Sequence, residues 1–106
     1  MEELLARLSR TADREGAVAQ ALLDDGMRLL VYPLEHGQLV VVGWPAASGH
    51  TAHGDTLLHR RGGDMARYGA WLPAQFSDGG WYVARRTADT GVPDADALLA
   101  ATELLL

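Results

Sequence analysis

MRLLVYPLEHGQLVVVGWP, running from Met27 to Pro45, decides the fold. It holds two apolar runs, Met27 to Leu34 and Gln38 to Trp44, divided by the turn Glu35-His36-Gly37. Valine, leucine and aromatic residues bounded by turn formers read as a β-hairpin. Both runs are apolar at odd and even positions, so neither side of the hairpin is built to face water alone. One side can pack on helices; the other needs a cover, for which a partner chain is the simplest candidate. Pro33 carries no N–H and is expected at a strand end or edge.

A second hairpin lies downstream in GAWLPAQFSDGGWYVARR, Gly69 to Arg86. Its strands are expected from Tyr68 to Phe76 and from Trp81 to Arg86. The turn Ser77-Asp78-Gly79-Gly80 supplies residues that tolerate positive φ. Tyr68, Trp71, Phe76, Trp81 and Tyr82 give it most of the aromatic area of the chain, and Pro73 points to an edge or a bulge. Upstream, Ala17 to Leu23 is divided between two readings. Alanine and leucine favour helix, whereas alternation permits an edge strand. The strand is preferred, with Asp24-Asp25-Gly26 as its turn into Met27.

Three helical patterns frame these strands. From Glu2 to about Thr11, Leu4, Leu5, Leu8 and Ala12 share a face. Glu2 and Glu3 sit at the positive end of the dipole, and Gly16 is a plausible C-terminal cap. Thr56 to Arg61 forms one or two turns, with Asp55 or Thr56 as N-cap and Gly62-Gly63 as terminator. Val92-Pro93-Asp94 opens the last helix, whose Ala95, Leu98, Leu99, Thr102, Leu105 and Leu106 fall on one side. The sum is a single α+β domain over 1–106. It has an antiparallel sheet of about five strands with N-terminal, short middle and C-terminal helices, in the order α-β-β-β-α-β-β-α.

Composition narrows the function. The chain has 106 residues, 48% hydrophobic and 22% charged, as globular domains do. It contains no Cys, Lys, Ile or Asn, and all nine basic residues are Arg. That skew is consistent with a GC-rich, bacterial coding bias. Without Cys there are no disulfides, thiolate metal sites or thiol catalysis. Nothing near the N-terminus reads as a secretory signal, and no apolar stretch approaches the length that spans a bilayer. A soluble cytoplasmic protein is expected, with no membrane role. With a net charge of −5 and only Arg60-Arg61 and Arg85-Arg86 as basic pairs, no nucleic-acid partner is expected.

No catalytic constellation appears. His50, His53 and Asp55, in the loop Ala46 to Asp55, are the only metal-like cluster, and two imidazoles with a carboxylate are a possible zinc or nickel set. They lack the i, i+4 spacing of a helical site, and a solvent-exposed loop is the simpler reading. No cofactor, metal or catalytic residue is therefore assigned. Asp24-Asp25 reads as a turn rather than an acid pair. The tryptophans read as core or interface rather than a ligand pocket.

The order of elements, with the hairpins Met27–Pro45 and Gly69–Arg86 and the closing helix VPDADALLAATELL (Val92 to Leu105), resembles the class I chaperones of type III secretion systems, the CesT/SycE-like family. The short middle helix and the Gly/His loop before it depart from that family, in a region that helps form its homodimer. The resemblance implies non-enzymatic binding, in which an extended segment of a secreted effector or translocator-like substrate is held, by a homodimer or a heterodimer. On that basis Leu4, Leu5, Leu8, Val40, Val42 and Trp44 are the expected partner surface, and Leu57, Leu58, Trp71 and Trp81 the expected dimer interface. A small acidic immunity or inhibitor protein is the competing reading, and a metal-binding enzyme using the 50–55 loop a third.

Overall fold

The computed structural model describes residues 1–48, 53–88 and 92–106. Helix α1 spans Glu2–Glu15 and is followed by strands β1 (Ala19–Leu22), β2 (Arg28–Pro33) and β3 (Gln38–Trp44). A 3-10 turn at Ala46–Ser48 leads on to helices α2 (Gly54–Gly63) and α3 (Met65–Tyr68). Strands β4 (Leu72–Gln75) and β5 (Trp81–Thr87) and helix α4 (Ala95–Leu104) complete the order. The expected α+β architecture is observed: one five-stranded antiparallel sheet in the order β1-β2-β3-β5-β4, with helices at the N-terminus, middle and C-terminus. No helix among the described residues is long and apolar enough to cross a membrane.

Local chemistry explains most boundaries. Helix α1 runs beyond Thr11 to Glu15, where Gly16 adopts φ 62° and its N–H closes on the Ala12 carbonyl. Residues 19–22 form a strand: Ala19 to Leu22 pair with Val31 to Arg28, so cross-strand partners override the helix preference of Ala and Leu. Gly26, at φ 93°, allows the turn between them. The middle region differs from expectation. Tyr68 belongs to α3 rather than to the second hairpin, because Asp64 stops α2 and its side chain accepts from the Arg67 amide to start another turn. Strand β4 is therefore only Leu72–Gln75. In α4, Asp94 caps by accepting from the Ala97 amide at 2.8 Å. The buried side of that helix is Leu98, Ala100, Ala101 and Leu104, with Leu105 beyond its end; Ala95, Leu99 and Leu106, expected on the buried side, are exposed.

The register sorts the sheet into two faces. Ala19, Leu29, Val31, Val40, Val42, Trp44 and Val83 lie on the helix side, where they join Leu5, Ala12, Leu57, Trp71, Leu98, Ala101 and Leu104 in the main core. On the opposite side Leu30, Val41 and Tyr82 form a smaller cluster, flanked by Tyr32, Leu39, Phe76 and Ala84. Among the described residues no helix contributes to this second cluster, which is built from side chains of the sheet and Phe76 beside it. Tyr82 lies across Gly43, its cross-strand partner, with Phe76 stacked on it at 4.1 Å between ring centroids. A Cβ at Gly43 would collide with the Tyr82 ring and the Trp81 carbonyl.

Gly43→Ala should therefore destabilise the protein by about 1–3 kcal/mol, the usual cost of overpacking. Gly62→Ala, which meets no atom within 4 Å, should stabilise helix α2 by about 0.5–1 kcal/mol. Urea unfolding midpoints of the two variants test both signs.

Candidate protein-binding surface

Helix α1 is held to the sheet by a buried polar pair as well as by apolar packing. The Ser9 hydroxyl donates to the Gln38 side-chain oxygen, and the Gln38 amide donates back to the Ser9 carbonyl at 2.9 Å. Because both side chains are enclosed, each satisfies the other's polar demand. Helix α1 thus covers the β1–β2 end of the sheet with Leu5 inside and Leu4 and Leu8 half-buried.

The other end is stitched by arginines. The Arg61 guanidinium donates to the Trp71 and Gly69 carbonyls at 2.9 and 3.0 Å. The Trp71 indole N–H donates to the Ala97 carbonyl at 3.0 Å. Arg60 donates to the carbonyls of Glu103, Leu104 and Leu106, neutralising the negative end of α4. Glu103 accepts from Arg67 at 2.7 Å and from the Tyr68 hydroxyl at 2.9 Å. The hydrogen bond from Arg67, then that from Tyr68, holds the Glu103 carboxyl below the usual glutamate range. The same carboxylate raises Tyr68, and hydrogen bonding to it raises Arg67 further. Helices α2, α3 and α4 are locked into one block, and the network is structural.

Against this frame the expected partner residues redistribute. Leu5, Val40, Val42 and Trp44 are buried in the main core, so they offer no surface to another molecule; only the edges of Leu4 and Leu8 are reachable. Their alternation was correctly apolar, but it faces the chain's own helices. Among the expected dimer residues, Leu57 and Trp71 are fully enclosed and Trp81 packs against the core, touching the start of α2 at Gly54. Leu58 alone is open, 52% exposed. His50 lies outside the described residues. His53 and Asp55 sit at the start of α2, and no group of metal-holding side chains occurs among the described residues.

The accessible apolar surface lies elsewhere. Leu22 on β1 is 66% exposed and Leu72 on β4 is 59% exposed. Both point to the helix-free side, at its two edges, with the Leu30–Val41–Tyr82 cluster between them. A recess of about 190 Å³ beside Leu22 is lined by Gly26, Arg28, Pro45, Ala47 and Ser48 as well. A second recess, about 260 Å³, lies between Met1 and Glu2 at the start of α1 and Leu98, Leu99 and Thr102 of α4. Hydrophobic pattern alone could not select Leu22 and Leu72; the signal was their place on short strands next to turn formers, which marks sheet edges.

No family model and no curated protein matches the chain. Among solved structures it is similar to a chain of the ExsC–ExsE complex, at 12% identity and a TM-score of 0.51, over 99% of this chain and 87% of that one. It is also similar to a chain of the heterodimeric ExoU–SpcU complex from the type III secretion system of Pseudomonas aeruginosa. There the identity is 22% and the TM-score 0.48, over 84% of this chain and 74% of that one. The first likeness shows a shared fold extending through nearly the whole chain.

The Glu103 contacts predict a pH dependence. A carboxyl whose folded pKa is lowered contributes stability above its unfolded value and loses it as pH falls through the folded one. Glu103→Gln should therefore lower stability at neutral pH, and the gap from the parent should narrow as pH drops below the usual glutamate range. Thermal melts at a series of pH values check this; a gap that widens toward acid contradicts the assignment.

Proposed function

We propose that this chain is a non-enzymatic protein-binding module, similar to the class I type III secretion chaperones, that holds an extended segment of a secreted protein. One observation carries the reading: the sheet ends in two short strands, β1 and β4, that have no outer neighbour among the described residues, and each carries an exposed leucine. Such an edge presents backbone donors and acceptors to an incoming strand, while side chains beside it select the sequence. Pro73 removes one donor from β4, which makes β1 the better acceptor. The recess beside Leu22 gives that edge a place for an apolar side chain. The fold shared with a chain of the ExsC–ExsE complex supports the reading, because there it occurs in an assembly of two different proteins. Leu58, with the exposed Met65 at the start of the next helix, is the surface proposed for pairing with a second subunit.

The test is capture of the partner from the native host, followed by protease footprinting of the bound region and amide exchange on this chain. The expected result is a protease-trimmed segment without a globular domain, and slowed exchange at Ala19–Leu22. Leu22→Asp should weaken binding at least about tenfold, a loss of about 1.4 kcal/mol, while leaving the unfolding midpoint close to that of the parent. A partner that binds only as an intact folded domain, or binding that ignores both Leu22→Asp and Leu72→Asp, contradicts the proposal.

A further inference from the structure

The two faces of the sheet differ in charge as well as in cover. The register places Gln20, Leu22, Arg28, Leu30, Tyr32, Leu39, Val41, Gly43, Leu72, Ala74, Tyr82, Ala84 and Arg86 on the helix-free side. No acid occupies any of these strand positions, although the chain has 14 acidic residues and a net charge of −5. The only charged groups are Arg28 and Arg86. Neither has a carboxylate partner among the described residues: the ion pairs there use Arg14 and Arg67. Arg86 donates to the His36 carbonyl at 2.9 Å, which leaves its charge uncompensated. Arg28 lies beside the buried Tyr82 hydroxyl, and Asp78 of the neighbouring turn is also within electrostatic reach of that hydroxyl. The nearby acids, Asp24, Asp25, Glu35 and Asp78, are confined to the hairpin turns at the sheet ends.

We infer that this face docks a carboxylate-bearing amphipathic segment of the partner protein, with Arg28 and Arg86 as charge anchors and the half-buried Tyr32, Leu39 and Ala84 as the apolar contact over the enclosed Leu30–Val41–Tyr82 cluster. The inference rests on the binding-module reading and specifies the chemistry of its partner. Arg28 stands opposite Gly43, and Arg86 opposite Leu39, on the two flanks of β3. Four residues along that strand span about 13 Å, and two strand spacings add about 10 Å across. The anchors are thus about 16 Å apart. Two carboxylates four residues apart in an extended segment, about 13 Å, are bridged to them by the reach of the side chains, with apolar residues between.

A second copy of this chain is the wrong occupant. A two-fold pairing would bring this face against itself, with four arginines and no strand acid between them, and like charges oppose such docking. A nucleic acid is disfavoured by the overall negative charge and because Phe76 is already stacked on Tyr82 rather than open to a base.

The probe is the fluorescein-labelled peptide Leu-Ser-Glu-Ser-Val-Ser-Glu-Ser-Leu-Ser, titrated to about 1 mM by anisotropy. It is compared with the peptides carrying Lys or Gln in place of Glu, and with a single-stranded RNA of similar length. The glutamate peptide should bind at least about tenfold tighter than the lysine peptide. Arg28→Gln/Arg86→Gln should abolish that preference, and Arg28→Glu/Arg86→Glu should invert it, with circular dichroism confirming the fold. Equal binding of all three peptides, no binding of the glutamate peptide, a preference that survives the glutamine variant, or tighter binding of the RNA would each overturn the inference. A captured native partner unaffected by both arginine variants but weakened by Leu22→Asp would also overturn it, while leaving the binding-module reading intact.

Discussion

Strand β3 is apolar on both sides, and among the described residues the helices pack on one of them. That asymmetry governs the rest of the molecule. Val40, Val42 and Trp44 face the helical layer with Leu29, Val31 and Val83, so α1, α2 and α4 lie on one side. Leu39 and Val41 must then be covered by whatever the neighbouring strands carry. Tyr82 provides the cover by lying flat over Gly43, an arrangement available only because that position has no side chain. A phenol laid over the sheet buries its hydroxyl beside Arg28, and burial pushes its pKa up despite that neighbour.

The helical layer is held by polar contacts at its two ends. Ser9 and Gln38 secure α1, while Arg60, Arg61 and Arg67 tie α2 and α3 to the neighbouring Gly69–Trp71 turn and to α4. Arginine suits this task better than lysine, because its planar fork reaches several carbonyls from one position. The absence of lysine from the chain is therefore compatible with a well-knit block.

How much was legible in the sequence follows from the same geometry. The hairpin from Met27 to Pro45 announces itself through its length, its β-branched content and its turn. Period-two alternation shows that Val40, Val42 and Trp44 share a face, and that Leu39 and Val41 share the other. When both sets are apolar, alternation does not say which set the helices will cover; Val40, Val42 and Trp44, the expected partner residues of β3, are the covered set. Arg28 and Arg86 carry the distinguishing charge, yet they are 58 positions apart in numbering, and only the register of β2, β3 and β5 brings them to one face. Trp71, expected at the dimer interface from the family resemblance, is enclosed in the core, where its N–H donates to the Ala97 carbonyl. The strand at Ala19–Leu22 opposed its own propensity because its partner residues lie on β2, beyond the reach of local statistics.

All three tryptophans lie on the helical side of the sheet: Trp71 fully enclosed beneath α4, Trp44 almost so, and Trp81 against the start of α2. Among the described residues, the cluster on the bare side carries tyrosine and phenylalanine rings. The molecule is thereby divided into two spectroscopic compartments. Indole emission reports the seam between helices and sheet, and tyrosine emission is weighted toward the open surface. An event confined to that surface would leave the indole spectrum still, whereas loosening of the helical layer would shift it.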